Sequence, residues 1–91
     1  MRDIMGHISI WNQAAADIKV EFWVGNKEVN ETVLGANGTY DLDLGDKGHV
    51  VFSNHLAVFS TPQHEGIDVP KEGSIGVRVH GWNESIWIEQ V

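Results

Sequence analysis

One stretch decides the fold: residues 17–24, with the sequence DIKVEFWV. Alternate positions share a chemical character, the apolar phase being Ile18, Val20, Phe22 and Val24 and the intervening phase Lys19, Glu21 and Trp23. Successive side chains of a β-strand point to opposite faces, whereas those of a helix return to one face about every 3.6 residues. The stretch therefore predicts a β-strand with one apolar face.

The same alternation recurs along most of the chain. An apolar phase with period two is found at residues 8–10, 40–44, 77–79 and 86–88. Gly and Asn, which tolerate the backbone of tight turns, fall between these runs at 25–26, 37–38, 45–48 and 81–83. We predict an all-β fold, a small antiparallel β-sandwich or partly open barrel of about seven to eight short strands. Its clearest hairpin is expected to join residues 39–44 to residues 49–53 across the Gly45–Gly48 turn.

The composition limits the number of domains and the classes of partner. Ninety-one residues, 42% of them apolar, suffice for one core, so we expect a single domain spanning residues 1–91. The net charge of −7 repels phosphate backbones and argues against nucleic acid as a partner. The absence of cysteine excludes disulfides, a thiolate nucleophile and Cys-ligated metal sites.

The sequence also bears on localisation. Residues 1–7 contain no apolar stretch of signal-peptide length. The apolar runs, such as residues 56–59, are far shorter than the roughly 20 residues that span a bilayer. We expect no transmembrane segment, and a protein that is cytoplasmic or released without a cleaved signal peptide.

The tryptophans give the main indication of function. Trp11, Trp23 and Trp87 all lie in the phase opposite to the apolar set, so each is expected to point away from the core. A Trp side chain buries about 150–250 Å² when it is covered. The area exposed by three uncovered Trp side chains on one sheet would approach or exceed the largest apolar patch of a typical monomer, about 300–600 Å². A ligand, a second subunit, or another part of this chain such as residues 56–69 could cover them.

We hypothesise a non-catalytic binding module with an exposed aromatic face. Trp82, expected in the turn 81–83, is the leading contact residue, with Trp11, Trp23 and Trp87 completing an aromatic platform. Polar contacts from Asn83, Arg78 and His80 would orient a neutral ligand such as a carbohydrate, without a cofactor. One alternative is a structural protein whose tryptophans form a homo-oligomer interface. A second alternative is a protein that binds membrane surfaces, which the net charge of −7 disfavours.

Other constellations carry weaker signals. Asp41, Asp43 and Asp46 could supply oxygen ligands for Ca²⁺, but their spacing does not match an EF-hand loop, and acidic residues at a sheet edge also oppose aggregation. The five histidines do not have the spacing of a local metal site. No Gly-x-Ser-x-Gly or Ser-x-x-Lys motif is present. We therefore predict no catalytic residues and no metal site.

Overall fold

Short strands follow one another along the chain, as the alternation predicts. The computed structural model describes residues 5–53, 64–82 and 85–91, and of residues 64, 82 and 85 it describes the backbone alone. Within these ranges the chain forms eight strands and no helix: β1 (His7–Asn12), β2 (Ile18–Val24), β3 (Lys27–Leu34), β4 (Thr39–Asp43), β5 (Gly48–Ser53), β6 (His64–Val69), β7 (Ser74–Trp82) and β8 (Ser85–Gln90). The all-β prediction is confirmed. Of the segment 56–69, residues 64–69 form β6, and the remainder lies outside the described residues.

The strands form two sheets of four that pack face to face. Their orders are β4-β1-β7-β8 and β3-β2-β5-β6, so the architecture is a β-sandwich and not a closed barrel. Five of the six strand pairs in the described part of the chain are antiparallel. The exception is β1 with β7, which run parallel. Parallel neighbours need a long connection, and here the chain builds the whole of the second sheet before it returns as β7.

The hairpin predicted across Gly45–Gly48 is wrong. β4 pairs with β1 in one sheet, whereas β5 pairs with β2 and β6 in the other. The turn instead carries the chain between the layers, and it is held at the start of β1, where Leu44 N–H donates to the Gly6 carbonyl at 2.9 Å. Both β4 and β5 have one apolar face, which either layer can accept, so alternation alone does not assign a strand to a sheet.

The core lies between the sheets and is built mainly from the predicted apolar phases. Its fully or almost fully buried members are Ile8, Ile10, Ile18, Val20, Phe22, Leu34, Val50, Phe52, Val69, Val77, Val79 and Ile86. Tyr40 is partly buried, and its ring centroid lies 5.7 Å from that of Phe22 in a tilted arrangement. Period two therefore identifies the inward face of β1, β2, β7 and β8 correctly, whereas the core residues of β3, β5 and β6 were not predicted.

One buried polar side chain, Asn12, joins the two layers at the end of β1. Its Nδ2 donates to the carbonyls of Leu34 at 2.9 Å, Ala16 at 3.0 Å and Gly35 at 3.1 Å. Its Oδ1 accepts the N–H of Ala14 at 2.9 Å. Because Leu34 ends β3 in the other sheet, this amide ties the sheets together and satisfies backbone groups that would otherwise be unpaired.

Candidate functional site

The outer face of the β4-β1-β7-β8 sheet brings four predicted site residues together. Trp11 on β1 stands beside Arg78 on β7, and His80 on β7 stands beside Trp87 on β8. Trp11 is 41% exposed and Trp87 46% exposed, so neither indole is sealed within the subunit. We call this surface the aromatic face and define it by Trp11, Arg78, His80, Trp87 and Glu89.

Each indole of the aromatic face has a partner from β7. The Arg78 guanidinium carbon lies 5.6 Å from the Trp11 ring centroid, within the range of a cation–π contact. The His80 imidazole is stacked with Trp87, with the centroids 5.8 Å apart and the planes inclined by 19°. Each indole therefore packs against a side chain of β7 while much of its own surface stays exposed.

Glu89 completes the aromatic face, and the sequence reasoning did not select it. Its Oε1 lies 3.1 Å from His80 Nε2 and 3.8 Å from Arg78 Nη1. The available signal was the alternation within β8, which puts Glu89 on the same side as Trp87. The carboxylate balances the guanidinium charge, so the pair adds hydrogen-bonding capacity with little net charge.

A shallow open recess of about 390 Å³ adjoins Trp11 and Arg78. Its lining includes Ser9, Trp11, Thr39, Asp41, Gly76, Arg78 and Val91. A Cβ built on Gly76 would stand 3.6 Å from the Val91 side chain, so the absence of a side chain there helps to keep the recess open. Hydroxyl and carboxylate groups therefore stand next to an indole, a combination that sequence patterns did not reveal because it spans three strands.

Of the remaining predicted site residues, Trp23 is not brought to this face. Trp23 is half-buried on the outer side of the other sheet, where it pairs with His49. Trp82 ends β7, opposite Ser85, and does not lie within the turn as predicted, because β7 extends through Gly81. The Trp82 side chain and the whole of Asn83 lie outside the described residues.

The three aspartates considered for calcium do not form a cluster. Asp43 accepts the N–H of Gly45 at 3.0 Å, Asp46 accepts the N–H of Lys47 at 2.7 Å, and Asp41 lies 3.8 Å from an imidazole. These are turn and cross-strand contacts. Among the described residues, the acidic groups whose ligand atoms do converge, within 4.8 Å, are Glu21, Glu28 and Glu31 on β2 and β3.

Lys19 already provides a cation for that glutamate cluster. Its Nζ lies 4.0 Å from Glu21 Oε1 and 3.8 Å from Glu31 Oε1. Desolvation beside the sheet, a hydrogen bond with Glu31 and repulsion from both neighbouring carboxylates raise the pKa of Glu28 above its ordinary value, and Lys19 partly offsets this. The described contacts make this cluster an ionic network of Lys19 with the glutamates.

Two further findings frame the function. Within the described residues, no helix has the length and apolar character needed to cross a bilayer. No protein-family model matches the chain, and neither the curated proteins nor the solved structures provide a significant match. The function is therefore argued from the geometry of the aromatic face.

Proposed function

We propose that the protein is a non-catalytic binding module whose aromatic face takes a carbohydrate or another neutral ligand. The observation that supports this most directly is the exposure of Trp11 and Trp87, 41% and 46%, on one sheet face that also carries a recess. Isolated exposed apolar residues are ordinary on protein surfaces, but this sheet face carries two exposed indoles, one of which, Trp11, lines a recess.

The chemistry of the aromatic face suits a ring that is apolar on one side and hydroxylated at its rim. An exposed indole offers a flat apolar surface, against which the C–H face of a pyranose can pack. Ser9, Thr39 and Asp41 line the adjoining recess and supply hydroxyl and carboxylate groups for the ligand's own hydroxyls.

Charge balance favours a neutral ligand over an ionic one. Arg78 is within 3.8 Å of the Glu89 carboxylate, so an anionic ligand would have to displace that carboxylate or share its partner. The recess volume of about 390 Å³ is at the lower end of ligand pockets, about 300–1,000 Å³, and fits one sugar ring better than a long chain.

The test combines a glycan array with titrations followed by tryptophan fluorescence. A ligand found on the array should bind at least about tenfold more weakly to Trp11→Ala and to Trp87→Ala, because aromatic anchors carry a large share of binding energy. Trp23→Ala is the matched control, since it removes an indole from the opposite sheet, and it should bind like the wild type. The proposal fails if no glycan shifts the emission, or if the control variant loses as much affinity as the other two.

A second candidate, a homo-oligomer interface, has one observation in its favour. Val91 is 70% exposed and borders the same recess, so it extends the apolar strip of Trp11 and Trp87. A stable interface buries about 800 Å² on each partner, which would require most of this sheet face. Light scattering after size exclusion at high micromolar concentration should then report a dimer that Trp87→Ala dissociates, whereas a monodisperse monomer would reject this candidate.

A further inference from the structure

A second, larger recess lies at one end of the other sheet. It is open, has a volume of about 570 Å³, and forms where the β2–β3 turn, the start of β5 and the chain after β6 meet. Its lining includes Gly25, Lys47, Gly48, His49, Asp68 and Lys71. The aromatic face contributes nothing to it, so it is a separate candidate site.

The recess concentrates positive charge in an acidic protein. The chain has 6 Lys and Arg residues against 13 Asp and Glu residues, and two of the six, Lys47 and Lys71, line this one recess. Lys19 and Arg78 lie within 4.0 Å of carboxylates, whereas neither Lys47 nor Lys71 forms an ion pair within the part of the chain that the structure describes. Two lysines therefore line one recess, and neither forms an ion pair with a described carboxylate.

The acidic residue of the lining already has a partner. Asp68 Oδ1 lies 2.8 Å from His49 Nδ1. The imidazole is held across β6, since a Cβ on Gly66 would come within 2.7 Å of His49 Nε2. His49 is thus the described partner of Asp68, whose side chain is 92% exposed.

Two glycines, Gly25 and Gly48, belong to the lining of the recess. A Cβ on Gly48 would come within 2.7 Å of the Trp23 carbonyl oxygen, so no side chain can be added there without moving the backbone. Gly25 has a φ of 62°, a conformation that residues other than glycine seldom adopt. The lining also includes Val69 and Pro70, which give the recess an apolar portion beside the charged one.

We propose that this recess binds the phosphate group of a small phosphomonoester, with the Lys47 and Lys71 ammonium groups as its cationic partners. A phosphomonoester carries close to two negative charges at neutral pH, which matches two ammonium groups better than the single charge of a carboxylate does. Lysine serves as a point-charge partner of phosphate. A volume of about 570 Å³ is far more than phosphate itself requires, so the organic part of the ligand would rest on Val69 and Pro70.

The test is a titration of the ¹⁵N-labelled protein with inorganic phosphate and, separately, with phenyl phosphate, followed by amide chemical shifts. Sodium chloride keeps the ionic strength constant, because screening alone changes the apparent affinity of exposed charges. Saturable shifts centred on the Gly25 and Gly48 amides are expected, with phenyl phosphate binding more tightly than inorganic phosphate. Lys47→Gln and Lys71→Gln should each weaken binding about tenfold.

Lys19→Gln is the matched control, because it removes the same charge from the same sheet at a distance from the recess. Lys19 pairs with Ser53, whereas the recess lies near the Trp23–His49 pair. Lys19 and Trp23 are four residues apart on β2, which corresponds to about 13 Å. Thermal unfolding of each variant verifies that it is folded. Binding that is lost equally in the control, or no saturable shift with either phosphate, overturns the proposal without affecting the glycan result, which concerns the other sheet.

Discussion

The substitution Asn12→Asp tests the central tie between the two sheets. It replaces the amide NH₂, which donates to three backbone carbonyls at 2.9–3.1 Å, with a carboxylate oxygen that can only accept. The bond to Leu34 is fully buried, and an unsatisfied buried acceptor costs about 1–3 kcal/mol. The amide has two N–H groups for three carbonyls, so the partly buried contacts with Ala16 and Gly35 together add about 0.5–1.5 kcal/mol. The loss should therefore be about 1.5–4.5 kcal/mol before repulsion between the carboxylate and the carbonyls is counted.

That loss is large on the scale of a small domain. Net stabilities are about 5–15 kcal/mol, and for 60–100 residues a loss of 1 kcal/mol lowers Tm by roughly 4–8 °C. A drop in Tm of at least about 6 °C at pH 7 is therefore expected. Urea unfolding, followed by both tryptophan fluorescence and circular dichroism, measures the free energy of unfolding. At pH 4 the deficit should be smaller, because a protonated carboxyl can donate one of the lost hydrogen bonds.

Asn30→Asp is the matched control for this substitution. The Asn30 side chain is half-buried, and its Nδ2 donates to the Tyr40 hydroxyl at 3.0 Å. A hydroxyl can rotate and donate to the new carboxylate, which a backbone carbonyl cannot do. The control should therefore cost much less than Asn12→Asp. If Asn12→Asp lies within about 0.5 kcal/mol of the wild type, or costs no more than the control, the role given to this amide is refuted.

Two further predictions concern the backbone and the glutamate cluster. Gly6→Ala should destabilise the protein far more than Gly45→Ala, as measured by urea unfolding. Both residues have a positive φ, but of the two only Gly6 would place a Cβ within 1.9 Å of a backbone oxygen. Equal losses of stability in the two variants would contradict this reasoning. The raised pKa of Glu28 means that the folded state holds this proton more tightly than the unfolded state does. The resulting contribution to the free energy of unfolding is present below the unfolded pKa and is lost as the pH rises through the folded pKa. Glu28→Gln should accordingly increase stability at pH 7 relative to pH 4. Lys19→Gln should raise the pKa of Glu28 further in a carboxyl NMR titration, because Lys19 lowers that pKa in the wild type. An unchanged titration would show that Lys19 has no such effect.

The outward direction of the aromatic-face residues follows from the sequence, whereas their proximity to one another follows from the fold. Alternation puts Trp11, Arg78, His80 and Trp87 in outward phases, and their outward positions are confirmed. Their proximity depends on β1, β7 and β8 being neighbours, which no local pattern states. Trp23 has the same outward phase but lies on the opposite sheet.

The residues that sequence reasoning missed share a physical reason. Glu89 and Gly76 acquire a role only beside residues of a neighbouring strand, the first through its contacts with β7 and the second through the space it leaves next to Val91. Asn12 looks like an ordinary turn residue, yet its amide serves three carbonyls of other segments. Partners far apart in sequence leave no periodic signal.

The sequence alone determined that the chain forms strands, which side of each strand is apolar, and where several of the turns fall, because a side chain's direction on a strand and a glycine's turn conformation are local properties. Only the tertiary structure decided that β4 and β5 belong to different sheets, that β1 and β7 run parallel, and which tryptophans share a surface. Apolar faces of similar width can pair in many orders, and the choice among them is made by the packing of the whole core and by buried polar ties such as Asn12.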